Sequence, residues 1–151
     1  METNREKEIS ALKNLIEYNN DRVEGYQKAA EETEHADLKS LFNRFSSQSM
    51  KFSSELNSRI VSLGSEPVEG TTNSGKIYRA WMDVKAALTG KNRKAILSSC
   101  EFGEDVALKS YEDVLQGNDI AAESRKIVEE QARHIRDAHN EIKNLRDVTV
   151  F

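Results

Sequence analysis

Three residues of this 151-residue chain have the types and spacing that metal chemistry uses. Glu101 and Glu104 stand three apart in "CEFGEDVAL", and His139 follows in "AHNEIKNLRD". Carboxylate oxygens and a neutral imidazole nitrogen suit a divalent cation such as Fe or Mn. Glu55, at the edge of the apolar face of its own helix, is a fourth candidate ligand. The alternative chemistry is a buried brace, in which protein donors satisfy the same carboxylates without metal. The two glutamates are not equivalent. At about 100° per residue, Ile96, Leu97, Cys100, Gly103, Ala107, Tyr111 and Val114 share one arc, and Glu104 falls inside it. Glu101 sits on its edge. A carboxylate within an apolar arc needs a partner, a metal or a proton.

The same count finds one polar interruption near the middle of every other long apolar face: Asn19, Ser49 and Gln131. Measured from the ends of their helices, Asn19, Ser49, Glu104 and Gln131 fall within about one turn, roughly 5 Å, of a common level. The expectation is a central polar layer to which each long helix contributes. Arg59, on the apolar side of the second helix, and the hydroxyls of Tyr26 and Tyr111 are further donors within reach of it. Glu32-x-x-His35 matches a ligand spacing literally, but it lies at a hairpin bend facing water. Cys100 faces the core and reads as a small apolar residue. There is no strand-to-helix turn presenting a serine and no glycine-rich phosphate loop.

The elements that must position these groups are helices. Ile9, Leu12, Ile16, Val23, Tyr26 and Ala30 mark one face of a first helix from about Thr3 to Thr33, with Thr3 and Glu6 at capping-box spacing. Asp37 is the expected N-cap of a second helix, whose face carries Leu38, Phe42, Phe45, Phe52, Leu56 and Ile60 and which stops at Gly64. "SEPVEGTTNSG" is a loop, and "KIYRAWMDVKAAL" is a shorter helix ending at Gly90. Asn92 caps a third long helix to Gln116, and a fourth runs from about Asp119 to Arg146. No stretch alternates with the period of a strand. The expected fold is all-α. It has a helical hairpin (3–63), a long crossover (64–91) containing an extra short helix, a second hairpin (92–146) and a short tail, in one domain spanning 1–151. Four long helices with one long crossover is the ferritin-like four-helix-bundle arrangement.

Composition narrows the function classes. A net charge of −4 argues against a general nucleic-acid or anionic-membrane binder. No apolar run approaches the roughly 20 residues of a membrane span, and "METNREKEIS" has no secretory apolar core. One cysteine cannot make an internal disulfide, so the expected compartment is the reducing cytoplasm. The expected partners are other proteins, above all a second copy in a homodimer. The apolar end "VTVF" can dock on the chain or on that copy.

The crossover topology together with "CEFGEDVALKSYEDVL", "AWMDVKAAL" and "AHNEIKNLRD" resembles a family of small bacterial ferritin-like proteins of unassigned function, over nearly the whole chain. The resemblance makes Glu101, Glu104, Tyr111 and His139 characteristic polar positions and implies a stress-related role without an established activity. The wider superfamily implies a di-iron or di-manganese site, with a Glu from each of two helices and a Glu-x-x-His pair from each of the other two. This chain departs from that pattern. It has Asn19 where one Glu is wanted, Ser49 and Phe52 where Glu and His are wanted, and Gln131-x-x-His134 in place of Glu-x-x-His. The reading is therefore a non-catalytic structural or interaction module with an internal polar layer. The alternative is an Fe- or Mn-binding or oxidising protein using Glu101, Glu104 and His139, with Glu55.

Overall fold

A computed structural model describes residues 4–72, 74–90 and 92–149 of the chain. Among them are five α-helices and no strand: α1 (Asn4–Glu32), α2 (Ala36–Ser62), α3 (Gly75–Gly90), α4 (Arg93–Gln116) and α5 (Ala122–Asp147). No described helix is long and apolar enough to cross a membrane.

The helix ends show which local signals act. Gly64 takes φ +95°. The N–H groups of Gly64 and Ser65 close back on the carbonyls of Val61 and Ile60, at 3.0 and 2.9 Å. This is the Schellman closure that a left-handed glycine permits. Asn92 caps α4 by accepting from the Ala95 N–H at 2.8 Å. Asp37, expected as the N-cap of α2, is not the cap. His35 holds that position without a side-chain cap. Asp37 instead takes both arms of Arg93, at 2.6 and 2.9 Å. That bidentate guanidinium holds its carboxyl down to about 2. α5 begins at Ala122, three residues later than expected, and its N-terminus is served from another helix. Glu8 of α1 accepts from the Ala121 N–H at 3.1 Å and the Ser124 hydroxyl at 2.5 Å. Of the expected capping box, Thr3 lies outside the described residues, as do Val150 and Phe151 of the tail; Val148 is exposed.

Side-chain pairs define the helix directions. Glu8 reaches Arg59 while Asn19 reaches Ser49, so α1 and α2 are antiparallel. Asn19 meets Tyr111 while Tyr26 meets Glu104, so α1 and α4 are antiparallel as well. Arg44 pairs with Glu141 and Arg59 with Ser124, which sets α5 antiparallel to α2. It follows that α2 and α4 run the same way, and the segment between them must return along the bundle.

That return is anchored by side chains. Asn57 exchanges two hydrogen bonds with the Val68 backbone, at 3.0 and 2.7 Å. Asn20 donates to the Gly70 carbonyl at 2.8 Å. Asp21 accepts from both the backbone and the hydroxyl of Thr72. The short helix α3 then packs on α1 and α4 through Ile77, Ala80, Trp81, Val84 and Leu88. Trp81 lies edge-on to Tyr26, with ring centroids 4.9 Å apart. Its indole rests where Gly25 and Gly103 leave no side chain. A Cβ at Gly25 would lie 2.2 Å from the indole, and one at Gly103 3.5 Å.

Gly25→Ala should therefore destabilise the fold by about 1–3 kcal/mol through overpacking, although alanine is the better helix former by about 1 kcal/mol. Gly70→Ala, with nothing within 4 Å of the added methyl, should change the urea midpoint little. A Gly25→Ala protein as stable as the parent would show that Trp81 does not occupy this slot in solution.

Candidate functional site

Glu104 is fully buried, and so is the cation beside it. Arg22, on α1, donates from Nε to Glu104 Oε1 at 2.7 Å. The Tyr26 hydroxyl donates to the same oxygen through a short hydrogen bond. The guanidinium carbon also lies 5.4 Å from the ring centroids of both Tyr26 and Phe45, which places the cation against two aromatic rings. Burial is the largest single influence and lowers the Arg22 pKa, but the charge and hydrogen bond of Glu104 together with the neighbouring Tyr26 and Tyr111 phenols outweigh it, and the net shift is upward.

The second branch of Arg22 starts a directed chain of hydrogen bonds. Arg22 Nη1 donates to Ser49 Oγ and to Gln48 Oε1, both at 2.8 Å. Ser49 donates to Asn19 Oδ1 at 3.0 Å, and Asn19 Nδ2 donates to the Tyr111 hydroxyl at 2.7 Å. Tyr111 donates to Gln131 Oε1 at 2.7 Å. Gln131 Nε2 ends the chain on Glu55 Oε1 at 3.2 Å and the Phe52 carbonyl at 3.3 Å. Each member donates onward, so the bonds polarise one another. Asn19, Ser49, Glu104 and Gln131 thus stand in one connected, buried network supplied by α1, α2, α4 and α5. Glu104 Oε2 and Arg22 Nη2 have no hydrogen-bond partner among the described protein groups.

The expected ligand set does not assemble as a unit. Glu104 points inward, away from Glu101 and His139, which meet in the groove between α4 and α5. His139 Nε2 lies 3.4 Å from Glu101 Oε1 and 2.7 Å from Asp105 Oδ1. The other Glu101 oxygen is taken by Arg146. The reason is helical geometry: a three-residue step turns the side chain by about 60° and a four-residue step by about 40° the other way. Asp105, four residues on, therefore shares the stripe of Glu101, whereas Glu104 faces the core. Glu55 is exposed and ends the hydrogen-bond chain. Arg59 does not reach Glu104. It donates to Ser124 at 2.7 Å and to Glu123 at 2.9 Å, and lies 3.6 Å from Glu8. His134 is 44% exposed beside Glu130. Glu32 pairs with Lys28.

Arg22 is the residue that periodicity missed, along with buried Glu8. A charged side chain is assigned to solvent by default, and the apolar spacing points to Val23, which is only partly buried. The signal was present, because Arg22 stands three residues after Asn19 and four before Tyr26, on their stripe.

The dinuclear centre of carboxylate four-helix bundles needs a ligating Glu on each of the four helices and a His on two of them. The residues here do not fit it. The central layer offers a single buried carboxylate, and its counter-charge is a guanidinium 2.7 Å away. Nor is there a poised nucleophile in this layer. Burial raises the Cys100 thiol far above its ordinary value and pushes the Tyr26 and Tyr111 phenols up, so these groups keep their protons.

Removing one member of a buried ion pair strands the other, at a cost of about 3–5 kcal/mol. Arg22→Met should lose stability on that scale in urea denaturation, and Arg22→Met combined with Glu104→Gln should recover a large part of it. Strictly additive single and double variants would show that the two side chains do not act as a pair.

No curated protein matches the chain. The sequence profile of one family, described as Domain of unknown function (DUF2383), matches residues 7–117, roughly three quarters of the chain, covering nearly all of α1 and the whole of α2, α3 and α4. On that match the chain belongs to the family of the domain of unknown function DUF2383.

Proposed function

We propose that this chain is a single ferritin-like bundle domain that is non-catalytic and acts as a structural or protein-interaction module in the bacterial cytoplasm. The parallel course of α2 and α4, with the returning segment and α3 between them, supports the ferritin-like assignment. The observation that carries the functional reading is the Arg22–Glu104 pair. A guanidinium is a permanent cation, and here it is the counter-charge of the buried carboxylate in the layer that the four long helices share. A divalent cation bound to Glu104 would have to displace Arg22 and leave that charge buried without a partner.

Anaerobic titration of the purified protein with Fe(II) or Mn(II) tests this. Glu104→Gln should leave any binding isotherm unchanged. Stoichiometric binding that disappears in Glu104→Gln would overturn the brace reading and restore a metal centre in the bundle.

Self-association is the form of interaction that the surface favours. Met82 and Phe102 are 45% and 49% exposed and border a groove of about 610 Å³ between α3 and α4. Lys76, Arg79 and Lys109 rim it together with Asp83 and Asp105, so a two-fold contact can pair opposite charges around an apolar centre. In sedimentation velocity the protein should be a dimer that Phe102→Glu converts to a monomer. A parent protein that stays monomeric at high concentration would remove the dimer from this proposal.

A further inference from the structure

We propose that Glu101, Asp105 and His139 form a mononuclear site for a first-row divalent metal ion in the groove between α4 and α5, separate from the polar layer around Glu104. One ligand atom from each residue converges, all within 4.8 Å of one another. His139 Nε2 stands 3.4 Å from Glu101 Oε1 and 2.7 Å from Asp105 Oδ1. Ligands bound tetrahedrally at about 2.0–2.2 Å from one ion lie roughly 3.3–3.5 Å from each other. The His139–Glu101 separation already matches that spacing, and the shorter His139–Asp105 separation reaches it by a small outward shift of Asp105, an exposed side chain.

The surroundings point to a cation at this place. His139 Nε2 is buried, and neither carboxylate oxygen lies in line for a hydrogen bond with it. The other ring nitrogen, Nδ1, is 3.3 Å from Asn140 Oδ1. With its proton on Nδ1, the ring leaves Nε2 as an unprotonated acceptor beside the two carboxylate oxygens. Outer hydrogen bonds of this kind are what orient a ligating imidazole. Three acceptors then face one point, which is unfavourable unless a proton or a metal ion stands between them. Arg146 occupies Glu101 Oε2 and leaves Oε1 free. Its single positive charge leaves the pair of carboxylates with a net negative charge. Lys109 does not neutralise the remainder, because it pairs with Asp113 at 2.9 Å. The Asp105 side chain is itself exposed, so an ion can reach it from solvent.

One imidazole nitrogen with two carboxylate oxygens selects a borderline ion such as Zn(II) or Co(II) over Mg(II), which prefers oxygen and water alone. Because Glu101 and Asp105 come from α4 and His139 from α5, the bound ion would tie the two helices of the second hairpin together.

The test is a titration of full-length protein, prepared without a metal-affinity tag, with Co(II) followed by visible absorbance and with Zn(II) by calorimetry. One equivalent should bind, Zn(II) should displace Co(II), and excess Mg(II) should not compete. Asp105→Asn and His139→Ala should each weaken Zn(II) binding by about tenfold or more, and Glu104→Gln should leave it unchanged. In nitrogen-detected NMR of the imidazole, Zn(II) should shift Nε2 of His139 selectively. Metal-free thermal melts of the variants establish that each is folded, and Glu101→Gln replaces any that is not. The proposal is overturned if no equivalent binds while His139 Nε2 keeps a proton in excess Zn(II), or if the double variant Asp105→Asn/His139→Ala binds as tightly as the parent. Loss of binding in Glu104→Gln alone would place the ion in the core, and would overturn both this site and the brace reading.

Discussion

A carboxylate with no exposure to water must be neutralised from within the protein, and Glu104 is neutralised by Arg22. The desolvation of two charges is large, so the pair need not be a net source of stability. Its geometric consequence is clearer. The guanidinium is planar and presents its donors at fixed angles, so engaging Glu104 with Nε aims Nη1 at Ser49 and Gln48. One side chain from α1 thus sets the levels of α4 and α2 together. The onward bonds through Asn19, Tyr111 and Gln131 bring α5 to the same level. Apolar faces tolerate sliding and repacking. Hydrogen bonds near 2.8 Å do not, because a slip of one residue moves a helix by about 1.5 Å and breaks them.

The bundle has a second polar level near one end, where Glu8, Arg59 and Ser124 meet at the start of α5. Between and beyond the two levels the interior is mainly aliphatic and aromatic, with Ser46 and Ser53 bonded to α1. The returning segment is bound to this frame by backbone-directed amides and by Asp21, then by the indole of Trp81 seated against Gly25. Burial raises the Asp21 carboxyl, and its hydrogen bonds with Thr72 oppose that shift. One stretch of α1 therefore serves three purposes on its different faces: Asn19 and Arg22 face the centre, Gly25 admits α3, and Asn20 and Asp21 hold the loop.

Three acidic residues within five positions of α4 meet three environments because helical steps diverge. Glu104 faces an arginine in the core, Glu101 an arginine and a histidine between two helices, and Asp105 the edge of a solvent groove. Chemistry that looks continuous along the chain is divided by the 3.6-residue turn. The metal-ligand pattern of carboxylate bundles is absent from the buried polar layer, and imidazole and carboxylate converge instead between α4 and α5.

By itself, the sequence determined the helices, several of their ends and the residues that break the apolar pattern. Periodicity is a local property, and Gly64 and Asn92 end or begin helices through bonds to residues at most a few positions away. Asn19, Ser49, Glu104 and Gln131 were visible because a polar side chain on an apolar face stands out in one dimension. The pairing of charges was decided only by the tertiary structure. Arg22 and Glu8 are buried against partners on other helices, Arg59 meets Ser124 and Glu123 and not Glu104, and Arg93, which draws Asp37 from the cap, lies 56 residues away. Whether a charge is buried depends on what another helix brings to it. That complementarity is a property of the packed bundle, and no single face contains it.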